Sequence, residues 1–324
     1  MSTSPTAPER SRKEAPTSVT SLPPLSAERL AARRRRLRRG YGLFALFAFP
    51  NLALIAVFAY WPIIANLYLS LTSWDFISPE PLFVGLTNYT SMLVSPSFHK
   101  VLWVSLVWVV VVVGISLVLG VLLAALFSKK LPGTSVATGI VFTPHVVSGA
   151  AIAVVWLFIF DPNYGLARVV FNLVGADSPS WTTDADWALP ALLIVSIWKG
   201  VGFVSIVYLA GIQGLPTDVL EAAELDGANS FQTFTRVILP LLSPTTFFLV
   251  ITQTIGAFQA FDLIAVMTNG GPASSTTTLS WFIYEQAFSR SNVGLSAAAG
   301  TVMFVILMVI TALQFRFVEK KVHY

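Results

Sequence analysis

The chain has 324 residues, of which 55% are hydrophobic and only 11% are charged, with a formal net charge of +4. A soluble domain carries roughly 25% charged residues. The composition therefore excludes an ordinary soluble protein and favours one that crosses a membrane several times. With no cysteine and three scattered histidines, the chain offers no disulfide framework, thiolate ligand or cysteine nucleophile, and we expect no metal site.

The first forty residues form a distinct basic segment. Residues 1–40 hold ten of the twenty Lys and Arg residues and are otherwise rich in Ser, Thr and Pro. Such a segment buries too little apolar surface to fold alone, and its Arg-rich run at 33–39 suits anionic lipid headgroups. We expect a disordered basic tail that contacts membrane lipid.

Six apolar runs follow, each long enough to cross a bilayer, which requires about 20 residues. They cover approximately residues 43–71, 101–127, 137–160, 188–213, 241–267 and 295–315. These runs predict an all-α fold, a polytopic membrane protein with six transmembrane helices. The first run is too long for a signal peptide and no small-residue cleavage site follows it, so we interpret it as an uncleaved first span.

The basic residues are distributed unevenly between the two sides of the membrane. If the N-terminus is cytosolic, sixteen of the twenty Lys and Arg lie on the cytosolic side. The other side holds only Lys100, Arg168 and Arg290, and Lys199 lies within a span. This asymmetry predicts that both termini are cytosolic. The sequence pI of about 9.4 then reflects topology, and we expect no nucleic-acid partner.

The segment between the fourth and fifth spans, residues 214–240, is polar in an otherwise apolar part of the chain. Its first residues, PTD at 216–218, carry helix-initiation signals. Gly227 supplies a stop because glycine takes the left-handed conformation without steric cost, and a second short helix can begin at Asn229 or Ser230. These signals predict a cytosolic helix–turn–helix with an acidic rim. It is either an ordinary amphipathic connection or a docking element for a cytosolic partner.

One motif in this segment is specific. The run EAAELDGA at 221–228, followed by Phe234 and Pro240, resembles the EAA motif of ABC importer permeases. VGLTNY at 84–89 and TNGGP at 268–272 are similar to segments of the carbohydrate-uptake members of that family.

The resemblance extends over residues 41–324. Towards the C-terminus, TTTLSWFIYEQAF at 276–288 and QFRFVEKKVHY at 314–324 resemble the glycerol-3-phosphate permeases of the family. The resemblance implies a type I ABC importer permease with a MetI-like core, located in the bacterial plasma (inner) membrane. Its function would be the import of sn-glycerol-3-phosphate or of glycerophosphodiesters such as glycerophosphocholine, by alternating access.

The family resemblance also implies a coupling helix that docks into a cleft of the ATPase subunit. The residues that match the motif, and to which this contact is carried over, are Glu221, Ala222, Ala223, Asp226, Gly227, Ala228, Phe234 and Pro240. The chain would be one subunit of a larger machine. Its implied partners are a second six-span permease, two copies of an ABC ATPase and an extracytoplasmic substrate-binding (lipo)protein.

The chain is expected to be non-catalytic. It contains no G-x-x-x-x-G-K-[ST] run, and hence no phosphate-binding loop of that type. We therefore expect no cofactor on this chain, with ATP and Mg bound by the separate ATPase subunit.

Five residues in the spans are candidates for the substrate pathway: Trp198, Lys199, Phe258, Gln259 and Asp262. A charge within a span is costly, so Lys199 and Asp262 each need a cavity or a partner. Gln259 and the neighbouring aromatics offer the polar groups and flat apolar surface that a polyol requires. For each of them a purely structural role, in an internal pair or in helix packing, is the alternative.

The turn after the fifth span offers a second candidate surface. Asn269, Gly270, Gly271 and Pro272 are candidates for contact with the binding protein, and a simple tight turn is the alternative. Two other functions stay open. The same machine could import a neutral sugar or oligosaccharide, or the chain could be a secondary transporter, which would favour several intramembrane carboxylates.

Overall fold

The structure is a computed structural model that describes Phe44, residues 46–129 and residues 132–318. The predicted basic tail at 1–40 lies outside these residues, as do Lys130, Lys320 and Lys321 of the charge count. The chain divides into two units, Met1–Pro62 and Ile63–Tyr324. In the first unit the described residues are helical, and residues 46–62 form the first part of a helix that continues to Ser70. Every other element described below lies within the second unit.

Almost every described element is a helix. The helices are α1 Leu46–Ser70, α2 Thr87–Val94, α3 Pro96–Phe127, α4 Thr134–Val146, α5 Gly149–Ile159, α6 Leu166–Leu173, α7 Ala185–Gln213, α8 Thr217–Leu225, α9 Ser230–Thr233, α10 Ser243–Phe258, α11 Asp262–Met267, α12 Leu279–Tyr284 and α13 Val293–Val318. Two strands, β1 Thr72–Ser73 and β2 Leu82–Phe83, pair antiparallel with Thr72 opposite Phe83.

The predicted spans correspond to these helices. In the described part of the chain, five helical segments are long and apolar enough to cross a membrane: α1, α3, α7, α10 with α11, and α13. The sixth candidate is α4 with α5, which covers the predicted span at 137–160 as two helices bent by 103° at a short break. The fifth span is also interrupted, at residues 259–261.

The bend between α4 and α5 has an identifiable cause. Pro144 lies inside the last turn of α4, where it lacks an N–H and its ring conflicts with the preceding turn. Val147 and Ser148 then adopt extended backbone angles, with ψ of 142° and 136°. The helix begins again at Gly149, so the break separates two helices of 13 and 11 residues.

Close helix packing around α7 depends on small residues. A Cβ atom on Gly202 would overlap the backbone carbonyl oxygen of Val141 in α4, and one on Gly120 in α3 would overlap the side chain of Val204. Because glycine has no side chain at these two positions, α3 and α4 can both pack closely against α7. The largest hydrophobic core includes fully buried Leu192 and Val195 of this helix.

Chain order places the loops on two faces. Residues 128–133 and 214–242 lie at one face, called here the 214–242 face, and residues 71–95, 160–184 and 268–292 lie at the opposite face. Short connections such as the β1–β2 ribbon and helices α2, α6 and α12 occupy the opposite face. The ribbon is attached to α13, because the Val293 N–H donates to the Trp74 carbonyl at 2.9 Å.

Candidate functional site

The 214–242 segment folds as α8, one tight turn, and α9, whose helical backbone continues through Phe234–Ile238 and Leu239–Leu241. Helix α8 begins after Pro216, whose backbone is extended, and ends at Leu225. Gly227 adopts φ +77°, and the N–H groups of Gly227 and Ala228 donate to the carbonyls of Glu224 and Ala223, both at 3.0 Å. This is the Schellman arrangement that ends a helix at a left-handed glycine.

The second helix caps itself. The Asn229 side chain accepts the Gln232 N–H at 2.9 Å, and the Gln232 side chain accepts the Asn229 N–H at 2.9 Å. This reciprocal pair is a capping box. Local hydrogen bonds therefore define both ends of the turn.

The acidic side chains of the segment remain available. Within the described residues, Glu221, Glu224 and Asp226 form no ion pair, all three are exposed, and no side chain caps the start of α8. None of these three acids therefore caps the start of its own helix, whose first turn contains Asp218. Of the predicted coupling residues, Ala222, Gly227 and Pro240 are also exposed, whereas Ala223 is buried at 9% exposure.

An open groove lies beside this segment. It has a volume of about 520 Å³ and separates α8 and the Phe231–Ile238 stretch from the end of α3, where Leu126 and Lys129 line it. Ala228 and Phe234, the two predicted coupling residues that are half-buried, face this groove. Phe231 projects from its rim with 75% of its surface exposed.

A polar pocket lies among the helices. It has a volume of about 210 Å³ and brings together three of the predicted pathway residues, Lys199, Gln259 and Asp262. Its remaining lining is Gly149, Ser196, Ala260, Phe261 and Leu263. Lys199 and Ser196 share one face of α7 because they are three residues apart.

Lys199 has no charged or hydrogen-bonding partner within the described residues. It is the fifteenth of 29 residues in α7, half-buried, and it lines the same pocket as Asp262 without pairing with it. A cation in mid-span normally finds a partner or a water-filled cavity, because an unpaired one costs about 2.5–3.5 kcal/mol on insertion scales. The pocket therefore contains a basic side chain that has no partner among the described residues.

The interruption of the fifth span positions the other two polar groups. Gln259 is the C-cap of α10 and Asp262 begins α11, and Phe261 between them has φ −135° and ψ −52°, outside the helical range. The break turns both side chains and the Phe261 ring towards the pocket. Gly149, the first residue of α5, leaves room for the Asp262 carboxylate.

Two of the predicted pathway residues lie elsewhere. Phe258 is buried at 7% exposure in the main hydrophobic core, so it packs the protein interior. Trp198 lines a separate apolar cleft of about 610 Å³ formed by α4 and α5. Its ring packs edge-to-face against that of Trp156, with the ring centroids 5.5 Å apart. Consecutive residues of a helix point about 100° apart, and here Trp198 lines the apolar cleft whereas Lys199 lines the polar pocket.

Gly149 and Ser196 were absent from the predicted pocket. Ser196 could have been found from its i, i+3 spacing to Lys199. Nothing in the sequence near Gly149 indicates its approach to Asp262, because that contact joins helices more than a hundred residues apart. In the part of the chain that the structure describes, no group of three or more His, Cys, Asp or Glu side chains could hold a metal ion.

The turn at 268–272 is held firmly at the opposite face. Thr277 Oγ1 donates to the Gly270 carbonyl and Thr276 Oγ1 donates to the Gly271 carbonyl, both at 2.8 Å. Gly270 is buried against Trp281 and has φ +78°. Of the four residues predicted to contact a binding protein, Asn269 is exposed and Gly271 and Pro272 are half-buried.

Comparison with known proteins gives one consistent family. Residues 116–324 match the family model described as "Binding-protein-dependent transport system inner membrane component". The chain is 35% identical over 282 residues to the sn-glycerol-3-phosphate transport system permease protein UgpA of Agrobacterium fabrum, covering 86% of this chain and 95% of the relative. The protein of that name from Yersinia pestis bv. Antiqua is 33% identical, with the same coverage.

Solved structures share the fold. A chain of a bacterial ABC transporter involved in the import of the acidic polysaccharide alginate superposes with a TM-score of 0.75 at 24% identity, covering 89% of this chain and 99% of the other. A chain of the MetNI methionine ABC transporter gives a TM-score of 0.51 at 18% identity, covering 70% and 97%. At these identities the likeness concerns the fold alone.

Proposed function

Because this chain belongs to the family of binding-protein-dependent transport system inner membrane components, we propose that it is the permease of an importer for sn-glycerol-3-phosphate or a glycerophosphodiester such as glycerophosphocholine. The family places it in the inner membrane as a non-catalytic ABC importer subunit, with the ATPase on a separate subunit. The identity to relatives named for sn-glycerol-3-phosphate transport supports the substrate.

The observation that carries this proposal is the unpaired cation in the polar pocket. A phosphate ester needs a positive charge and several hydrogen-bond donors, and Lys199 offers both within a membrane span. Gln259 and Asp262, which line the same pocket, suit the hydroxyl groups of a glycerol unit. The Phe261 ring adds the flat apolar surface that small polar ligands require.

The remaining parts of the machine are proposed as follows. The chain pairs with a second six-span permease, two copies of the ATPase, which binds ATP and Mg, and an extracytoplasmic binding protein. The 214–242 face is cytosolic, as are both termini, in agreement with the excess of Lys and Arg on that side. The turn at 269–272 then faces the binding protein.

The 214–242 segment is the proposed contact with the ATPase. It is exposed, rigidly capped and bordered by a groove, and its unpaired acids offer charge to a partner. ATP-driven closure of the two ATPases would move α8, and this motion would open the permease pair outwards to receive ligand.

A ligand screen on the reconstituted complex tests the substrate. The two permeases, the ATPase and the binding protein are placed in proteoliposomes, and uptake and ATP hydrolysis are measured with sn-glycerol-3-phosphate, glycerophosphocholine and maltose. We expect either phosphate compound to be imported and to stimulate hydrolysis. If only maltose is imported, the substrate is instead the alternative, a neutral sugar. Such a sugar carries no negative charge for Lys199 to bind.

A further inference from the structure

A continuous row of aromatic rings leads from the opposite face to the polar pocket. The rings are those of Phe76, Phe288, Tyr284 and Phe261, and this set is called here the aromatic strip. Neighbouring ring centroids lie 6.3, 5.2 and 4.9 Å apart. The last member, Phe261, also lines the pocket that contains Lys199.

The rings of the strip are exposed or half-buried, whereas rings of a hydrophobic core would be buried. Phe76 and Phe288 have 52% and 68% of their surface exposed, and Tyr284 has 38%. Exposed rings placed singly need no explanation. Here four rings form a row in space, and one end of the row lies at the polar pocket.

The outer end of the strip is held in place by a dedicated turn. Phe76 adopts φ +64°, a conformation that is unfavourable for a bulky residue. The Asp75 carboxylate stabilises it by accepting the N–H groups of Ser78 and Ile77 at 2.7 and 3.0 Å, and these bonds, that of Ser78 first, lower the pKa of Asp75. The Trp74 ring also packs edge-to-face against the Phe76 ring, with their centroids 5.0 Å apart.

Charged groups border the strip without interrupting it. Glu285 and Arg290, on the helical turn that follows Tyr284, pair with each other at 2.9 Å. Because Glu285 and Arg290 neutralise each other, the Tyr284 and Phe288 end of the strip presents apolar ring faces, and the Asp75 carboxylate beside Phe76 is engaged by backbone N–H groups. Such a surface holds a hydroxylated molecule weakly through its C–H groups while its hydroxyls remain in water.

We propose that the aromatic strip is the entry track along which a hydroxylated ligand moves from the opposite face to the Lys199 pocket. The inference rests on the proposed import function and adds the route to it. Several weak contacts in sequence favour movement, because each must be strong enough to be occupied and weak enough to be left. The first strong contact along the route is the charge of Lys199.

The test uses the reconstituted complex with a double variant, Tyr284→Leu with Phe288→Leu, which keeps the surface apolar and removes two flat rings. Tyr164→Leu is the matched control, because Tyr164 is exposed in another loop of the same face and lies outside the strip. Loss of two stacking contacts predicts a fall of about tenfold in uptake at ligand concentrations far below saturation. Uptake by Tyr164→Leu should equal that of the unmodified complex.

Two further measurements exclude a protein interface. Copurification of the partner permease and the affinity of the binding protein should be unchanged in the double variant. If either is reduced along with uptake, the strip is covered by that protein and the entry track is wrong. Unchanged uptake in the double variant overturns it equally.

A labelling experiment examines the route directly. The chain has no cysteine, so Phe288→Cys introduces its only thiol, and Tyr164→Cys serves as the control. We expect a transported ligand to slow maleimide labelling of Phe288→Cys severalfold and to leave the control unaffected, and equal rates with and without ligand would contradict the proposal. If the unmodified complex imports only maltose, the substrate assignment is wrong and the strip is tested with maltose instead. If it imports none of the three probes, both the substrate assignment and the entry track are wrong.

Discussion

The carboxylate of Asp262 packs directly on the backbone of Gly149. A Cβ atom built on Gly149 would lie 2.8 Å from Oδ2 and 2.9 Å from Cβ of Asp262, closer than unbonded atoms approach. The contact joins the first residue of α11 to the first residue of α5. Two interrupted spans therefore meet at one point, and that point is a wall of the polar pocket.

Gly149→Ala should impair transport more than folding. The added methyl group forces Asp262 away from the pocket, and overpacking of this kind costs about 1–3 kcal/mol. We expect a reduced rate of uptake with the protein still present in the membrane at nearly normal amounts. Gly139→Ala is the control, because nothing lies within 4 Å of a Cβ atom at that position. Equal uptake by both variants would mean that the Asp262 position does not matter.

Lys199→Met should stabilise the protein while weakening transport. The substitution removes an unpaired cation from mid-span, so thermal unfolding in detergent should move to higher temperature. Loss of a charged hydrogen bond to phosphate is worth about 1.5–3 kcal/mol, so uptake of sn-glycerol-3-phosphate should fall at least tenfold. Lys199→Arg should retain part of the activity. A Met variant that transports normally would remove Lys199 from the ligand pocket.

Gly202→Ala should prevent normal folding, whereas Gly200→Ala, two residues earlier on the same helix, should be tolerated. A methyl group on Gly202 would overlap the Val141 carbonyl, while the nearest atom to one on Gly200 is Ser116 Oγ at 3.9 Å. Backbone atoms of α4 cannot move aside as a side chain can. The amount of each variant in purified membranes, and its thermal unfolding temperature, would measure the difference.

Substitutions at Gly227 should rank by their tolerance of left-handed backbone. Its φ of +77° with nothing within 4 Å of a Cβ atom means that only the backbone conformation, and no clash, penalises a side chain. Asn adopts this conformation more readily than Val. We expect Gly227→Asn to retain ligand-stimulated ATP hydrolysis and Gly227→Val to lose most of it. If both behave as the unmodified chain does, the turn geometry has no role in coupling.

Glu221→Arg should uncouple ATP hydrolysis from transport without loss of protein from the membrane. The side chain is exposed and, among the described residues, forms no ion pair, so its reversal disturbs no internal contact and acts on the ATPase interface. The measurement is ligand-stimulated hydrolysis against uptake in proteoliposomes. Asp177→Arg, at an exposed acid of the opposite face, is the control and should leave both activities unchanged.

The helical segment at 214–242 could be predicted closely because its signals are local. A glycine that ends a helix and an Asn229–Gln232 cap act within a few residues, and the sequence displays both. The six apolar runs were equally visible, since their length and composition depend on no other part of the chain. Their identity as membrane helices agrees with the structure.

The pocket could be predicted only in part. Lys199, Gln259 and Asp262 were evident as polar groups in apolar runs. The interruption at 259–261 has no proline or glycine to indicate it. Phe258 was grouped with Gln259 because the two are neighbours in sequence, and the structure places Phe258 in the core. Trp198 was grouped with Lys199 by adjacency, although neighbouring residues on a helix face different directions.

The 103° bend between α4 and α5 also determines which environment can surround it. Around Val147 and Ser148 the regular backbone hydrogen bonding of a helix is interrupted, and hydrocarbon offers no group to satisfy free N–H and C=O groups. The bend at Val147 and Ser148 must therefore face protein or water at every stage of the transport cycle. It gives the subunit a defined inner side, and the acyl chains of the bilayer are confined to surfaces where the helices run unbroken.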